Sequence, residues 1–480
     1  MIQLSFNSEE LFCKPRYETC QKVLFLRPEM TDAERIPYLE GQLSNALARI
    51  AELEAQLLRV KGKKDSNNSH TPPSVDLKRK NKSLRQKSGK PKGGQKGHKG
   101  HTLEMSDTPD TIEFLYPSYC NNCGSDLADH IFRLQSRRQV TDIPPIVPEI
   151  TEYRCMGTDC ACGHHQCGSF PPGVDNHVQY GPNIQSLVIY QSYYQFLPFH
   201  RLCDFFRKIC SVPISKGTIE NIIRRNAKKA KPVYEKLQQA IAISFFVGSD
   251  ETGYKLNTQK GWFWVWQNAL ITFIVAATSR SKQVIAEHFP DGLPNAILCS
   301  DRLAAQLSTV TKGAQLCLAH LLRDLNFLIE RQESDWPQQF KNLLKEAIGL
   351  KQQQAQYPQN HPKVLELEQK LDNLLNDEQL QLLLKDPDKF QNAITFFKQM
   401  RKLRNNLFPF LYHQLVPYDN NGSERAIRMI KVKTKISGQF KSLHKEFAIL
   451  RSVIDTTIKN GKSVFQAIHA IVQCQPPAAG

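Results

Sequence analysis

Between Leu39 and Val60 the apolar positions Leu39, Leu43, Ala46, Ile50, Leu53, Leu57 and Val60 recur at alternating spacings of four and three, the a/d rhythm of a coiled coil. A helix over 36–60 that pairs with a second copy fits this pattern. So does a single amphipathic helix packed on its own protein, because about three heptads is short for an independent coiled coil. Residues 1–35 carry no periodic signal and stay unassigned; Met30 precedes the patterned stretch, so an internal start fits the chain. From Lys61 to His101 the periodicity gives way to Lys, Ser, Asn, Pro and Gly. Such a segment cannot build a core and is expected to be disordered when free, while its glycines let backbone approach a phosphate chain. A plain solvated linker is the alternative.

Residues 181 to about 230 pattern as helices, with Leu187, Tyr190, Tyr194 and Leu197 on one face of the first. Two shorter helices are expected next, the second capped by Ser215 and displaying Lys216, Thr218, Asn221 and Arg225. This resembles a helix-turn-helix reader, although helix pairs are common in proteins of every kind. Near residue 240 the texture turns to strands: Ile243–Val247, Gly261–Trp266 and Ile271–Ala277, rich in β-branched and aromatic residues and close enough for an antiparallel meander. Ala296–Cys299 reads as a further strand, Asp301–Leu307 and Leu316–Ile329 as helices, which makes an α/β unit. Residues 335–410 pattern almost wholly as helix, with Val364, Leu367, Leu371, Leu374 and Leu375 on one face. After Asp419 a basic helix is expected from Ser423 to about Lys435.

At 480 residues the chain exceeds what one core usually supports, so several domains are expected. The formal charge of +17 favours a polyanionic partner such as nucleic acid or an acidic membrane surface. Its distribution is more telling: residues 61–101 hold thirteen Lys or Arg against two Asp. No apolar run approaches the roughly 20 residues of a membrane-spanning helix, and no signal peptide is evident, which predicts a soluble, intracellular protein without a membrane partner. The thirteen cysteines are scattered except between Cys120 and Cys167; in a reducing compartment that cluster reads as metal binding.

Three carboxylates stand where phosphodiester chemistry would need them: Asp250 in Gly248-Ser249-Asp250-Glu251-Thr252, Asp301 in Cys299-Ser300-Asp301-Arg302, and Glu424 in Gly422-Ser423-Glu424-Arg425. Two Mg²⁺ ions about 4 Å apart can activate a nucleophile, neutralise charge at phosphorus and stabilise the leaving oxygen. Mg²⁺ takes hard oxygen ligands and keeps several waters, so a few Asp or Glu side chains suffice. Taken singly, each acid reads equally as a surface carboxylate.

The flanking residues resemble the insertion sequence 66 family of bacterial DDE transposases. The likeness runs through Asn67-Asn68-Ser69-His70-Thr71-Pro72-Pro73-Ser74, Gly93-Gly94-Gln95-Lys96-Gly97-His98-Lys99-Gly100, Tyr180-Gly181-Pro182 and Leu197-Pro198-Phe199-His200-Arg201. It continues in Asp250-Glu251-Thr252, Gly261-Trp262-Phe263-Trp264-Val265, Cys317-Leu318-Ala319-His320-Leu321-Leu322-Arg323 and Asn420-Asn421-Gly422-Ser423-Glu424-Arg425. The resemblance implies an RNase H-like core in which Asp250, Asp301 and Glu424 are the catalytic, Mg²⁺- or Mn²⁺-binding residues. It also implies cleavage at the element's ends and transfer of the freed 3′-hydroxyl to target DNA, in the bacterial cytoplasm at the nucleoid. Cys317 and His320 match a family C-x-x-H element, for which a structural, DNA-positioning or metal role is open.

Cys120-Asn121-Asn122-Cys123-Gly124 has the form of half a zinc knuckle, two thiols separated by two residues with a turn-forming Gly after them. The resembled family carries a zinc finger here. Cys160 and Cys162 are the expected second half, with Cys155 as substitute and His164, His165 and Cys167 nearby.

The fold expected is α/β: an RNase H-like DDE core over 240–440 with a helical insertion at 333–412, then a helical segment over 441–480. Ahead of it come the 36–60 coiled-coil helix, a basic arm (61–105), a zinc-finger domain (106–175) and a helical DNA-binding region (180–235). DNA-contacting candidates are Lys78, Arg79, Lys80, Lys96 and Lys99 in the arm, Lys216, Asn221 and Arg225 in the helical region, and Arg425, Arg428 and Lys431 beside Glu424. Expected partners are double-stranded DNA, further copies of the chain, and accessory proteins of the same element. A catalytically silent DNA-binding relative and a nuclease that cuts without joining are the rival functions.

Overall fold

Successive side chains of a strand point to opposite faces, and the run Phe263 to Trp266 uses both. Phe263 and Val265 enter one buried cluster, Trp264 and Trp266 another. A strand buried on both sides belongs to a central layer covered by helices on each face. The computed structural model describes residues 32–60, 97, 103–331 and 335–474. Its strands are β1 (Gly157–Asp159), β2 (His165–Cys167), β3 (Phe246–Leu256), β4 (Gln259–Gln267), β5 (Thr272–Ala277), β6 (Leu293–Ser300) and β7 (Thr311–Leu316). β1 and β2 form a small hairpin; the others form a five-stranded sheet in the order β5-β4-β3-β6-β7. β3, β4 and β5 run antiparallel, whereas β6 pairs in parallel with both β3 and β7.

The chain divides into two compact units. The larger holds, among described residues, 97, 103–321, 344–369 and 402–474, including the whole sheet. One face of its sheet packs on Ile219, Ile222, Ile223, Ile430, Phe447, Ile454 and Ile468, so helices from 182–242 and 444–473 share one core with the strands. The smaller unit holds 32–60, 322–331, 335–343 and 370–401. In it Trp336 lies against Phe340, Phe396 and Phe397, and its indole N–H donates to the Leu374 carbonyl at 2.7 Å. The helix Asp32–Val60 forms as its periodicity predicts, with Leu39, Leu43, Ile50 and Leu53 exposed.

Several expectations are corrected. β3 begins at Phe246 and runs through Asp250, so that residue lies within a strand and not after one; Ile243 instead caps the end of the helix Lys216–Ala242. Polar Ser249, Glu251 and Thr252 are buried strand residues, which is why no apolar run marked the strand's true span. β7 was not anticipated, because Thr311 to Gln315 is an edge stretch low in apolar residues; the helix follows it as Leu318–Arg331. Arg302 adopts φ +79°, which breaks the expected Asp301–Leu307 helix to Ala304–Leu307. The helix capped by Ser215, whose Oγ accepts from the Thr218 N–H at 3.1 Å, is not short: it runs 27 residues to Ala242, past Pro232. Residues 336–412 are helical throughout the segments Trp336–Gln353, Pro362–Leu374, Asp377–Leu384, Pro387–Lys402 and Pro409–Tyr412.

The edge strand β5 is finished by side chains. Ser452 Oγ accepts from the Ile274 N–H at 2.9 Å, and Thr456 Oγ1 accepts from the Thr272 N–H at 3.1 Å and donates to its carbonyl at 3.3 Å. Tyr234 OH donates to the Ile274 carbonyl at 2.8 Å and Lys459 Nζ to that of Ile271 at 3.0 Å. The match is geometric: four residues along a helix rise about 6 Å, close to the roughly 6.7 Å of two residues along a strand.

Candidate functional site

Parallel pairing of β3 with β6 sets Gly248 opposite Cys299. Continued by two residues, that register brings Asp250 beside Asp301, and their carboxylate oxygens lie with one of Glu251 within 4.8 Å of one another. Asp250 Oδ1 accepts from the Glu251 N–H at 2.8 Å, while Asp301 Oδ1 is buried with no hydrogen-bond partner. Burial, then the charges of Asp301 and Glu251, hold the Asp250 carboxyl well above the usual carboxylate range, with a smaller push from Glu424. Glu251 is likewise raised, first by burial and next by Asp301, against the opposing Arg280. Its Oε1 accepts from Arg280 Nε at 2.7 Å and its Oε2 from Gln306 Nε2 at 3.0 Å, so Glu251 frames the pair with both oxygens already partnered. Sequence reasoning passed over it, although an Asp-Glu dipeptide in a buried strand is itself a signal.

Glu424 arrives from a different direction, in the first turn of the helix Asn421–Ser437. The start of that helix is tied to the sheet: Asn420 Nδ2 donates to the Ser249 carbonyl at 2.7 Å, and Ser423 Oγ donates to Asn420 Oδ1 at 2.7 Å. Gln267, held by Lys459 Nζ at 2.8 Å, completes the joint. The joint leaves no room for a Cβ at Gly248, which would stand 2.5 Å from Gln267 Nε2 and 2.7 Å from Asn420 Oδ1. Gly248→Ala is therefore expected to destabilise the chain by about 1–3 kcal/mol and to shift the turn bearing Glu424. Urea unfolding measures the first effect, and a midpoint equal to wild type would refute this close packing.

Glu424 gathers with Cys317 and His320, ligand atoms within 4.8 Å, and His320 Nε2 stands 3.9 Å from Glu424 Oε1. Cys317 directly follows β7 and its Sγ accepts from the Asn420 N–H at 3.2 Å, while burial pushes its thiol up to about 12. The three predicted acids are thus split in this conformation between an Asp250–Asp301 pair and a Cys317–His320–Glu424 group.

Residues 177–446, which include Asp250, Glu251, Asp301, Cys317, His320 and Glu424, match the family described as Transposase IS66 family. The chain belongs to that family. Residues 16–104 match a second family, described only as being of unknown function. No curated protein matches the chain.

Of the transposase's predicted DNA contacts, Lys78, Arg79, Lys80, Lys96 and Lys99 lie outside the described residues. Lys216, Asn221 and Arg225 are exposed on one long helix, where Arg225 donates to Gln185 Oε1 at 3.3 Å. Arg425, Arg428 and Lys431 are exposed along the helix that carries Glu424, spaced to lie on one side of it. Lys431 Nζ also donates to the Gly253 carbonyl at 2.9 Å. Lys433, two residues on and so round the helix, points inward over Tyr193 and Phe199, and burial lowers it to about 8.

The transposase's cysteine halves each form a tight turn. Gly124 N–H donates to the Cys120 carbonyl and Gly163 N–H to that of Cys160, both at 2.8 Å, with φ of +75° and +87° at the two glycines. Cys123, hydrogen-bonded by Ser125 and Cys120, is lowered to about 7, and hydrogen bonds from Cys162 lower Cys160. Cys155 donates to the Gly168 carbonyl at 2.8 Å, and Cys167 lies 3.2 Å from His165 Nε2. Among the described residues neither cluster of three or more ligand side chains contains Cys120, Cys123, Cys160 or Cys162.

Burial and crowding at Asp250 and Glu251 make stability depend on pH. Asp250 and Glu251 titrate higher in the folded chain than unfolded, so the folded state binds more protons and stability falls as pH rises from the ordinary carboxylate range, about 4, through the raised folded values. In metal-free buffer the melting temperature is expected to drop across that window, and a divalent cation to restore it at the upper end. Melts with and without chelator read this; a curve indifferent to both pH and cation would contradict it.

Proposed function

We propose that this transposase binds the ends of an insertion sequence, cleaves DNA strands there and joins the freed 3′-hydroxyl to target DNA, using Mg²⁺ or Mn²⁺. The observation that carries the reading is the parallel register that sets Asp250 beside Asp301, with a buried, unpartnered carboxylate oxygen, in a chain of this family. The donor set fits a hard divalent cation: carboxylate oxygens only, crowded enough to raise Asp250, in a setting where an ion would relieve the repulsion. Bound there, such an ion would activate the attacking oxygen and neutralise charge at phosphorus. Asp250 and Asp301 hold the ligand oxygens, and Glu424, on its tethered helix turn, completes the site. Arg280 and Gln306 keep Glu251 from competing for that role. A mixed sheet whose central strand carries the first acid and whose parallel neighbour ends one residue before the second supports an RNase H-like core.

Around this centre, exposed Arg425, Arg428 and Lys431 contact phosphates beside the scissile strand, and Lys216, Asn221 and Arg225 contribute to end recognition. The arm carrying Lys78, Arg79, Lys80, Lys96 and Lys99 adds salt-sensitive affinity. Cys120, Cys123, Cys160 and Cys162 hold a structural Zn²⁺ through their paired turns. Exposed leucines of the Asp32–Val60 helix mediate self-association, which brings two ends together, with accessory proteins of the same element as further partners in the cytoplasm at the nucleoid. The test is purified protein with Mg²⁺ and DNA bearing the element's own ends. Joined products are expected; cutting without joining makes it a nuclease, and binding alone makes it a silent DNA-binding relative.

A further inference from the structure

We propose that Cys317, His320 and Glu424 form a second, chemically distinct metal site that takes Zn²⁺ or another late divalent transition ion. Two parts of the fold, far apart in sequence, deliver the ligands. Cys317 directly follows β7, His320 lies in the first turn of the Leu318–Arg331 helix, its N–H donating to the Cys317 carbonyl at 3.1 Å, and Glu424 lies in the first turn of the Asn421–Ser437 helix. Their ligand atoms lie within 4.8 Å of one another, and the imidazole Nε2 to carboxylate Oε1 separation is 3.9 Å. Tetrahedral zinc with bonds of about 2.0–2.1 Å to N and O puts those two atoms about 3.4 Å apart, so closure by a few tenths of an ångström suffices.

The donor types exclude the cation of the neighbouring pair. Mg²⁺ avoids thiolate and imidazole, whereas one sulfur, one nitrogen and one oxygen suit Zn²⁺, Co²⁺ or Fe²⁺. Thiolate and carboxylate together carry two negative charges, which a divalent ion neutralises, and binding releases the thiol proton. A second shell is in place: the Asn420 N–H already points at Cys317 Sγ at 3.2 Å, and Asn420 is anchored to Ser249 of β3. Three protein ligands leave a fourth position open, as in catalytic rather than structural zinc sites. Glu424 then stands between two ions of different character, the hard one on Asp250 and Asp301 and the soft one on Cys317 and His320. That consequence rests on the transposase reading; the existence of the site does not.

Cobalt-loaded full-length protein tests it without DNA. The Cys120→Ser/Cys123→Ser variant removes one half of the cysteine module and is expected to keep a thiolate-to-cobalt absorption band that adding Cys317→Ser abolishes. Metal content should fall by about one ion per chain in Cys317→Ser and in His320→Ala. Because Cys317 is buried, Cys317→His, which preserves a ligand, is the folding control. It is expected to fold, with a melting temperature lowered by the larger ring, and to hold more metal than Cys317→Ser. Identical metal content and spectra in wild type and Cys317→Ser overturn the site, as does a well-folded Cys317→His that binds no more metal than Cys317→Ser. Absence of strand transfer in wild-type protein that holds the ion would count against the transposase mechanism and leave this site standing.

Discussion

Asp250→Asn is expected to abolish strand cleavage, by about 1,000-fold or more, while leaving the chain folded and binding DNA. A metal ion's stabilisation of the charged transition state amounts to several kcal/mol, and each 1.36 kcal/mol is tenfold in rate, so losing one ligand of a crowded pair has that scale. The substitution is nearly isosteric and removes a charge that burial and Asp301 already disfavour. In metal-free buffer the variant should therefore melt at or above the wild-type temperature and lose most of the fall with pH described for the acid pair. Gel assays of cleavage and joining, with a parallel DNA-binding assay, read the effect. Cleavage within about tenfold of wild type would remove Asp250 from the chemistry.

The largest effect on stability is expected at a buried ion pair far from the acids in sequence. Arg451 and Asp455 lie one helical turn apart with N–O 2.5 Å and side chains only 2% and 10% exposed; Arg451 also donates to the Tyr193 carbonyl at 3.1 Å. Burial raises Asp455, and the Arg451 charge opposes it. Asp455→Ala leaves the guanidinium uncompensated among apolar side chains, which costs about 3–5 kcal/mol. Arg451→Met combined with Asp455→Leu should recover most of that loss, because an apolar pair of similar volume escapes the desolvation penalty. Denaturant titration of wild type, Asp455→Ala and the double variant reads both effects. A single Asp455→Ala variant as stable as wild type would mean that the arginine finds water in the folded state.

Much of the sheet was legible because β4 and β5 are dense in aromatic and β-branched residues. β7 was hidden by Thr311-Lys312-Gly313-Ala314-Gln315, a stretch whose strand state comes from pairing with β6 and not from its own propensity. The long helix after Ser215 was cut short on paper because its second half mixes Lys, Pro232 and Gln. Ile219, Ile222, Ile223, Ala227 and Ala230 bury one face and carry it through. At the site, Asp250, Asp301 and Glu424 could be singled out by residue type and surroundings. Their division into a pair and a separate group could not, because it depends on a register between β3 and β6 and on where Asn420 anchors a helix. Lys433 shows the same limit: a basic residue in a basic helix reads as a phosphate contact, yet its position in the turn sends it inward.

The finished margin at β5 bears on how copies of this chain can meet. Backbone groups at a sheet's rim usually offer a template for another strand, but those of Ile271, Thr272 and Ile274 are spoken for by Ser452, Thr456, Tyr234 and Lys459. Annexing a further strand on this side would first require peeling away a helix that is part of the main core. Growth into fibres or swapped sheets is closed off on this side of the sheet, and a second copy that meets the chain here meets side chains of helices, not a free strand edge.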